Sequence, residues 1–310
     1  MKTTALNISA PPPAAPATGE DHARAGAWQR LLRNRLALGC LGVVLAFSAL
    51  ALYGEVVYRL YRFLDRTPPY QQAHLEQQYQ PPGAAHPLGT DGLGRDVLQR
   101  LIQGARIAFQ VGVVTSLIAI PIGVLLGCLG GYFGGRMDDF IVWLYSTFAA
   151  IPSLLLILVI SLIAGRGLLG VFLGIGLTTW VSVCRLIRAE VIKHRQRPYV
   201  EAARALGYGP ARIIFRHILP NIAHVIIVIF TLRFPAAIGT EVFMSFLGIG
   251  VVGEPSWGLM INSARLRLWQ GIWWEMTFVT LAIFLVVLAF NLLGDALRDA
   301  LDTRLRTTDI

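Results

Sequence analysis

The chain has 310 residues, 55% of them hydrophobic and only 15% charged, with a mean hydropathy of +0.59. Soluble domains carry about 25% charged residues, so there is too little polar surface here for a water-soluble globule of this length. The net charge of +9 would suit a nucleic-acid binder, but the cations flank apolar blocks instead of forming one patch, and nucleic acid is excluded as a partner.

The first 27 residues are polar and rich in Pro and Ala, with Pro11, Pro12, Pro13 and Pro16 close together. They are unlike the basic start of a cleavable signal, and residues 1–27 are expected to form a disordered cytoplasmic tail. Trp28 to Arg35 reads as a short amphipathic helix, with Arg30, Arg33 and Arg35 toward lipid headgroups. It leads into the first of six apolar blocks: Leu36–Val57, Ile107–Leu129, Phe140–Ala164, Leu168–Ile187, Ala223–Phe246 and Trp273–Leu293. Each has roughly the twenty residues that an α-helix needs to cross a bilayer.

Residues 28–58 thus form an interfacial helix and first span, and 59–105 a polar segment with Pro68-Pro69 and Pro81-Pro82 that must lie outside the bilayer. Within it Gly94–Ala105 reads as a helix with Val97, Leu98, Leu101 and Ile102 on one face. His86 in this segment reads as structural. Residues 106–294 form a five-helix core and 295–310 a cytoplasmic tail. Arginines concentrate on the side of the N-terminus, which places both termini in the cytoplasm by the positive-inside rule. Arg59, Arg62 and Arg66 on the opposite side weaken that bias. Cys40, Cys128 and Cys184 all sit in apolar blocks and read as packing residues, with no metal-ligand spacing.

The stretch 185–221, between the fourth and fifth blocks, is too basic and too patterned for a simple turn. Pro198 opens a helix, Gly207 closes it in a left-handed cap, and Gly209-Pro210 opens a second helix that Pro220 should end. Within the fifth span, Arg233 and Glu241 are charges in hydrocarbon, which are costly unless they face a cavity or a partner. They lie about two turns apart with Pro235 between them, so the span should kink. Arg233, Glu241 and Ser245 are candidates for a translocation path; the alternative is an ion pair or helix–helix contact. Trp257, Trp269, Trp273 and Trp274 read as interfacial anchors. No GxxxxGK[ST] loop exists and the lysines are Lys2 and Lys193 alone, so the chain cannot hydrolyse ATP in the P-loop manner, and no catalytic residue is assigned.

Glu201-Ala202-Ala203, then Gly207, Ile213, His217 and Leu219-Pro220-Asn221 resemble the EAA loop of ABC importer permeases in residues, spacing and place. Three further stretches resemble the C-type subunit of the dipeptide/oligopeptide/nickel permease family: His86-Pro87-Leu88-Gly89-Thr90-Asp91 with Leu93 to Leu98, Glu241 with Ser245 to Gly250 and Ser256-Trp257-Gly258, and Asn291 to Asp295 with Leu297 to Asp302. The resemblance implies an all-α membrane protein of six transmembrane helices with type I ABC importer permease architecture, in a bacterial inner (plasma) membrane. It also implies a heterodimer with a homologous permease, two ABC ATPase subunits that hold ATP and Mg, and an extracytoplasmic solute-binding protein. No cofactor is expected in this chain. In that frame Glu201, Ala202, Ala203, Gly207, Ile213, His217, Leu219 and Pro220 form the ATPase-docking loop. Di- and oligopeptides are the family's commonest cargo, with nickel chelates or another small solute as alternatives. Arg233 stands where the family is usually apolar, and the segment Val251–Pro255 is shorter than usual, both at places where selectivity can differ. A secondary transporter driven by an ion gradient is the competing class; it requires mid-span acids, for which Glu241 is the candidate.

Overall fold

A computed structural model describes residues 34–301, and among these the regular structure is helical. The elements are α1 (Arg35–Phe63), α2 (Val97–Phe133), α3 (Gly135–Ala150), α4 (Ser153–Ala164), α5 (Leu168–Arg195), α6 (Pro198–Ala205), α7 (Pro210–Ile213), a π-helical turn (Ile214–Ile218), α8 (Leu219–Phe246), α9 (Trp257–Ala264) and α10 (Trp274–Leu301). Five runs are long and apolar enough to cross a membrane, counting α7 to α8 as one run, Pro210–Phe246. The interfacial helix expected over 28–35 and the tail 1–27 fall outside or at the edge of the described residues. Of the tail expected over 295–310, residues 295–301 continue the last helix and 302–310 lie outside the described residues. For description, the end that carries α6 and α7 is the near face, and the other the far face.

Helix boundaries follow capping chemistry and run past the sequence estimates. Asn34 caps α1 by accepting from the backbone N–H groups of Leu36 and Ala37, and Asp96 caps α2 by accepting from Gln99 N–H at 3.0 Å. The helix expected over Gly94–Ala105 therefore starts at Val97 and is continuous with the second span, and α1 continues to Phe63 beyond the boundary at 58. The third block corrects more. It is two helices, α3 and α4, meeting at 89°. Ile151 is extended (φ −90°, ψ 132°) because it precedes Pro152, whose ring disfavours a helical residue before it. The loop also differs from expectation at its end, where Pro220 does not stop the chain. Leu219 N–H reaches back five residues to Ile214, widening the ladder just before the proline ring, and Asn221 donates its side-chain amide to the His217 carbonyl at 2.6 Å. The near-face helix and the fifth span are in consequence one run.

The backbone of the bundle is the contact between α2 and α5. Gly123, Gly127 and Gly131, one turn apart on α2, face Val183, Cys184 and Arg188 on α5 so closely that a Cβ would lie 2.5 Å from Val183 Cβ, 2.9 Å from the Cys184 carbonyl oxygen and 2.8 Å from that of Arg188. Between membrane helices there is little hydrophobic drive, since lipid tails are as apolar as leucine, so close backbone approach supplies the dispersion attraction that holds the pair. Cys128 and Cys184 are free thiols buried beside this seam. Asp138 of α3 then pairs with Arg188 through two hydrogen bonds of 2.5 Å, tying α3 to the same surface.

On the far face the turn His86–Asp91 is a clasp. Thr90 donates its hydroxyl to the Gln77 carbonyl and accepts from Gln80 N–H, while its own carbonyl accepts from Trp274 Nε1 at 3.0 Å. Gly89, at φ +78°, leaves no room for a Cβ against that indole. His86 Nδ1 lies 2.9 Å from Asp96 Oδ2 and Nε2 lies 3.2 Å from Gln77, the structural role expected for it. Asp91 is buried, which would raise its carboxyl. Hydrogen bonds from Arg95, the charge of Arg100 and backbone N–H groups overcome this and hold it below the usual carboxylate range. Two of the four tryptophans are not interfacial anchors. Trp274 is buried in this clasp, and Trp257 is fully buried against Gly104 with Nε1 donating to the Leu101 carbonyl. Trp269, 93% exposed, and half-exposed Trp273 keep the geometry of anchors.

Candidate functional site

The near-face loop is built by its caps. Pro198 starts α6, and at its end Gly207 adopts φ +77°. Tyr208 N–H then reaches the Ala203 carbonyl at 3.1 Å and Gly207 N–H the Arg204 carbonyl at 2.9 Å, which together close the helix with paired bonds. Gly209-Pro210 opens α7 immediately, so two helices fold back around one glycine, as the sequence predicts.

One side of this hairpin is anchored. Val200, Ala203, Ile213, Ile214 and Ile218 are buried against Tyr132, Ile187 and Val191 of α2 and α5. Arg204 lies over the Tyr132 ring at 5.3 Å, Arg212 over Tyr208 at 4.2 Å, and Tyr208 stacks on His217. Tyr199 bonds His194 at 2.7 Å, and burial pushes its phenol up. The other side is free: Glu201, Ala202, Ala205 and Gly207 are exposed, together with Leu206 at 71% and Phe215 at 63%. Arg204, Arg212 and Arg216 of the same segment are exposed as well. Of the residues assigned to the loop's docking face, then, Glu201, Ala202, Gly207 and Pro220 are outward. Ala203 and Ile213 are inward, because they fill the cavity over α2 and α5, and His217 and Leu219 are half-buried. Leu206 and Phe215 were not legible as surface residues. An apolar side chain carries no sign of which way a bent segment turns it, and Phe215 lies in the π turn, where the side-chain register departs from that of an α-helix.

The intramembrane candidates separate into two places. Arg233 Nη1 donates to the Thr179 carbonyl at 2.7 Å, and Nη2 to the Thr179 hydroxyl, with Ser182 Oγ at 3.5 Å from Nη1. It is a contact between α8 and α5, half-buried, whose neighbour Ser182 is exposed. Glu241 is fully buried and accepts from Ser245 Oγ at 2.7 Å, which in turn accepts from Val251 N–H. Glu241 and Ser245 fasten the segment after α8 onto its end, and Gly250 and Gly258 approach Ser245 and the Val242 carbonyl too closely for a Cβ. No ion pair joins Arg233 to Glu241, since two helical turns and different neighbours separate them.

A third polar cluster lies at the far face and was not assigned from sequence. The buried Arg106 of α2 donates Nε to Glu55 of α1 at 2.7 Å and Nη1 to Glu254 at 2.6 Å, with its guanidinium 3.7 Å from the Tyr58 ring centre. Gln110 also donates to Glu55, at 2.8 Å. The partners come from positions 55, 106 and 254, which no short motif connects.

Two family models match. Residues 119–307 match the model described as "Binding-protein-dependent transport system inner membrane component", and residues 24–82 the "N-terminal TM domain of oligopeptide transport permease C". Similar proteins include the dipeptide transport system permease protein DppC of Bacillus subtilis, 39% identical over 90% of this chain and 85% of that protein. The glutathione transport system permease protein GsiD of Pectobacterium atrosepticum is 36% identical, covering 90% of this chain and 91% of the relative, and the oligopeptide transport system permease protein OppC of Bacillus subtilis is 34% identical over 89% and 88%. Among solved structures, an inward-facing MetNI methionine ABC transporter chain superposes with a TM-score of 0.50 at 18% identity, over 66% of this chain and 97% of that one, a likeness of fold.

Proposed function

Since this chain belongs to the family of binding-protein-dependent transport system inner membrane components, we propose that it imports di- or oligopeptides as one half of a heterodimeric pathway, driven by ATPases docked on its near face. It is a multi-pass permease subunit, and ATP hydrolysis resides in partner subunits. The near face is cytoplasmic in this reading and both termini lie there, in a bacterial inner membrane. The far face then receives cargo from an extracytoplasmic solute-binding protein. ATP and Mg are held by the two ATPases.

The observation that carries the proposal is the two-sided hairpin. One side is locked to α2 and α5 by five buried side chains, while Leu206 and Phe215 are exposed in a segment that also exposes Glu201, Arg204, Arg212 and Arg216. An exposed apolar centre with a polar rim is the anatomy of a protein interface. Three arginines against one glutamate favour an acidic groove as its complement. The test is a cysteine at Leu206 or Phe215 in the assembled transporter. Crosslinking from either position should capture an ATPase subunit, and the yield should change between the nucleotide-free and ATP-bound states. Crosslinking that never captures an ATPase, or labelling of these cysteines from outside intact cells, would overturn the reading.

Arg233 is the proposed selectivity residue on the path. It stands with Ser182 at mid-span, on a surface that the partner permease would face, and a guanidinium there suits a peptide carboxylate. Its expected signature is a preference for a free peptide over its C-terminal amide in uptake assays, lost in Arg233→Ala. The same preference in wild type and variant would reduce Arg233 to an α5–α8 strut.

A further inference from the structure

Beside the Glu55–Arg106–Glu254 cluster a cavity of about 500 Å³ opens on the far face, lined also by Arg59, Arg62, Phe63 and Leu168. Its three arginines exceed its two glutamates by one charge. Arg106 is consumed by both carboxylates and Arg59 pairs with Glu55 at 2.6 Å. Arg62 touches only the Tyr58 hydroxyl, at 3.2 Å, and among the described residues no carboxylate pairs with it. The surplus cation is therefore available to an anion.

Depth and the neighbouring surface say which anion. Arg59 lies 24 residues along α1 from Arg35, so the two guanidinium-bearing positions are about 36 Å apart along the axis. That exceeds a hydrocarbon core of about 30 Å and falls within the roughly 40–45 Å between outer headgroup limits, which sets Arg59 and Arg62 at the phosphate level of the far leaflet. Tyr53 and Val56 lie below them, toward the bilayer centre, and Leu60 and Phe63 at their level; all four are exposed and share one face of α1. Arg59 lies angularly between this apolar stripe and the cavity. A cationic hollow at headgroup depth, continuous with an exposed hydrocarbon-facing stripe, matches an amphiphile and not a free ion. We infer that this cavity holds the phosphodiester of an anionic phospholipid of the far leaflet, with its glycerol region beside Leu60 and Phe63 and an acyl chain descending along Val56 and Tyr53.

The lipid then sits directly over the charge cluster that joins α1, α2 and the segment before α9. It screens these charges from water and takes up the one unmatched cation. This also gives Arg59 and Arg62 a use that the charge bias across the membrane does not.

The assembled transporter, reconstituted in nanodiscs of mixed phosphatidylglycerol and phosphatidylcholine and then transferred to mild detergent, should retain phosphatidylglycerol selectively in native mass spectra. The double variant Arg59→Gln, Arg62→Gln should bind it about thirtyfold more weakly, the loss of two interfacial cations. Both side chains are on the surface, so the fold is kept, and Arg66→Gln, exposed but outside the cavity, should leave retention unchanged. Equal retention by wild type and double variant, or retention of phosphatidylcholine as readily as phosphatidylglycerol, would overturn the inference. So would inorganic phosphate displacing the lipid from the wild type, which would make the cavity a site for free anions.

Discussion

Glu201→Lys and Gly207→Val should each lower solute uptake by at least about tenfold while leaving the chain inserted and the ATPases active without coupling. The two act by different routes. Glu201 is exposed on the free side of the hairpin, so reversing its charge changes only what the partner meets. Gly207 holds φ +77° with open space where a Cβ would go. Valine at that position fails because a β-branched residue resists the left-handed backbone, not because it collides. The paired bonds from Gly207 and Tyr208 to the end of α6 then open, and the free side loses its shape. Uptake and ATP hydrolysis measured together in proteoliposomes check both. Normal uptake by both variants would remove the hairpin from the coupling mechanism. Gly207→Asn should retain most function, since asparagine tolerates the left-handed region.

Gly127→Leu should have the larger effect on the molecule itself. A Cβ at Gly127 lies 2.9 Å from both the Cys184 carbonyl oxygen and Ile187 Cβ and 3.0 Å from Arg188 N. Two of those atoms are backbone, so no rotamer change relieves the clash, and the helices must separate. Overpacking costs about 1–3 kcal/mol where side chains can shift, and should exceed that here. The seam also carries the α3 ion pair through Arg188. Little folded subunit should be recovered from membranes, and its midpoint in detergent melting should fall well below wild type. Gly39→Leu is the control, because nothing lies within 4 Å of that position. Equal abundance of the two variants would show that α2 and α5 tolerate a looser seam.

What the sequence revealed, and what it withheld, follows from the range of each signal. Hydrocarbon spans are legible because length and apolarity suffice, and the Pro198–Gly207–Pro210 hairpin because each residue has one strong local meaning. The failures are all non-local. Pro152 as a right-angle break needs the neighbouring α5 to receive α4, which it does by placing Gly170 and Gly174 against the Gly165 and Ile157 carbonyls. Pro220 looks like a terminator until the π turn ahead of it is known. Trp257 and Trp274 resemble anchors by composition and position, yet each is a core wedge because a glycine (Gly104, Gly89) stands opposite. Glu55, Arg106 and Glu254 are ordinary charges until three separate segments converge. The outward turn of Leu206 and Phe215, which carries the docking proposal, depends in the same way on what the other side of the hairpin buries.

The run from Pro210 to Phe246 spans 37 residues. It includes the π turn ahead of Pro220 and continues as helix through Pro235, where the sequence suggests a kink, and Arg233 bonds it to α5. That contact divides the run unequally. Its near-face arm is 23 residues, about 35 Å, and its far-face arm 13 residues, about 20 Å. If the run moved as one body about that contact, a push on the long arm would be returned at the opposite membrane surface reversed in direction and reduced to a little over half. In the proposed transport cycle, the opening of one side and the closing of the other would then be a single displacement.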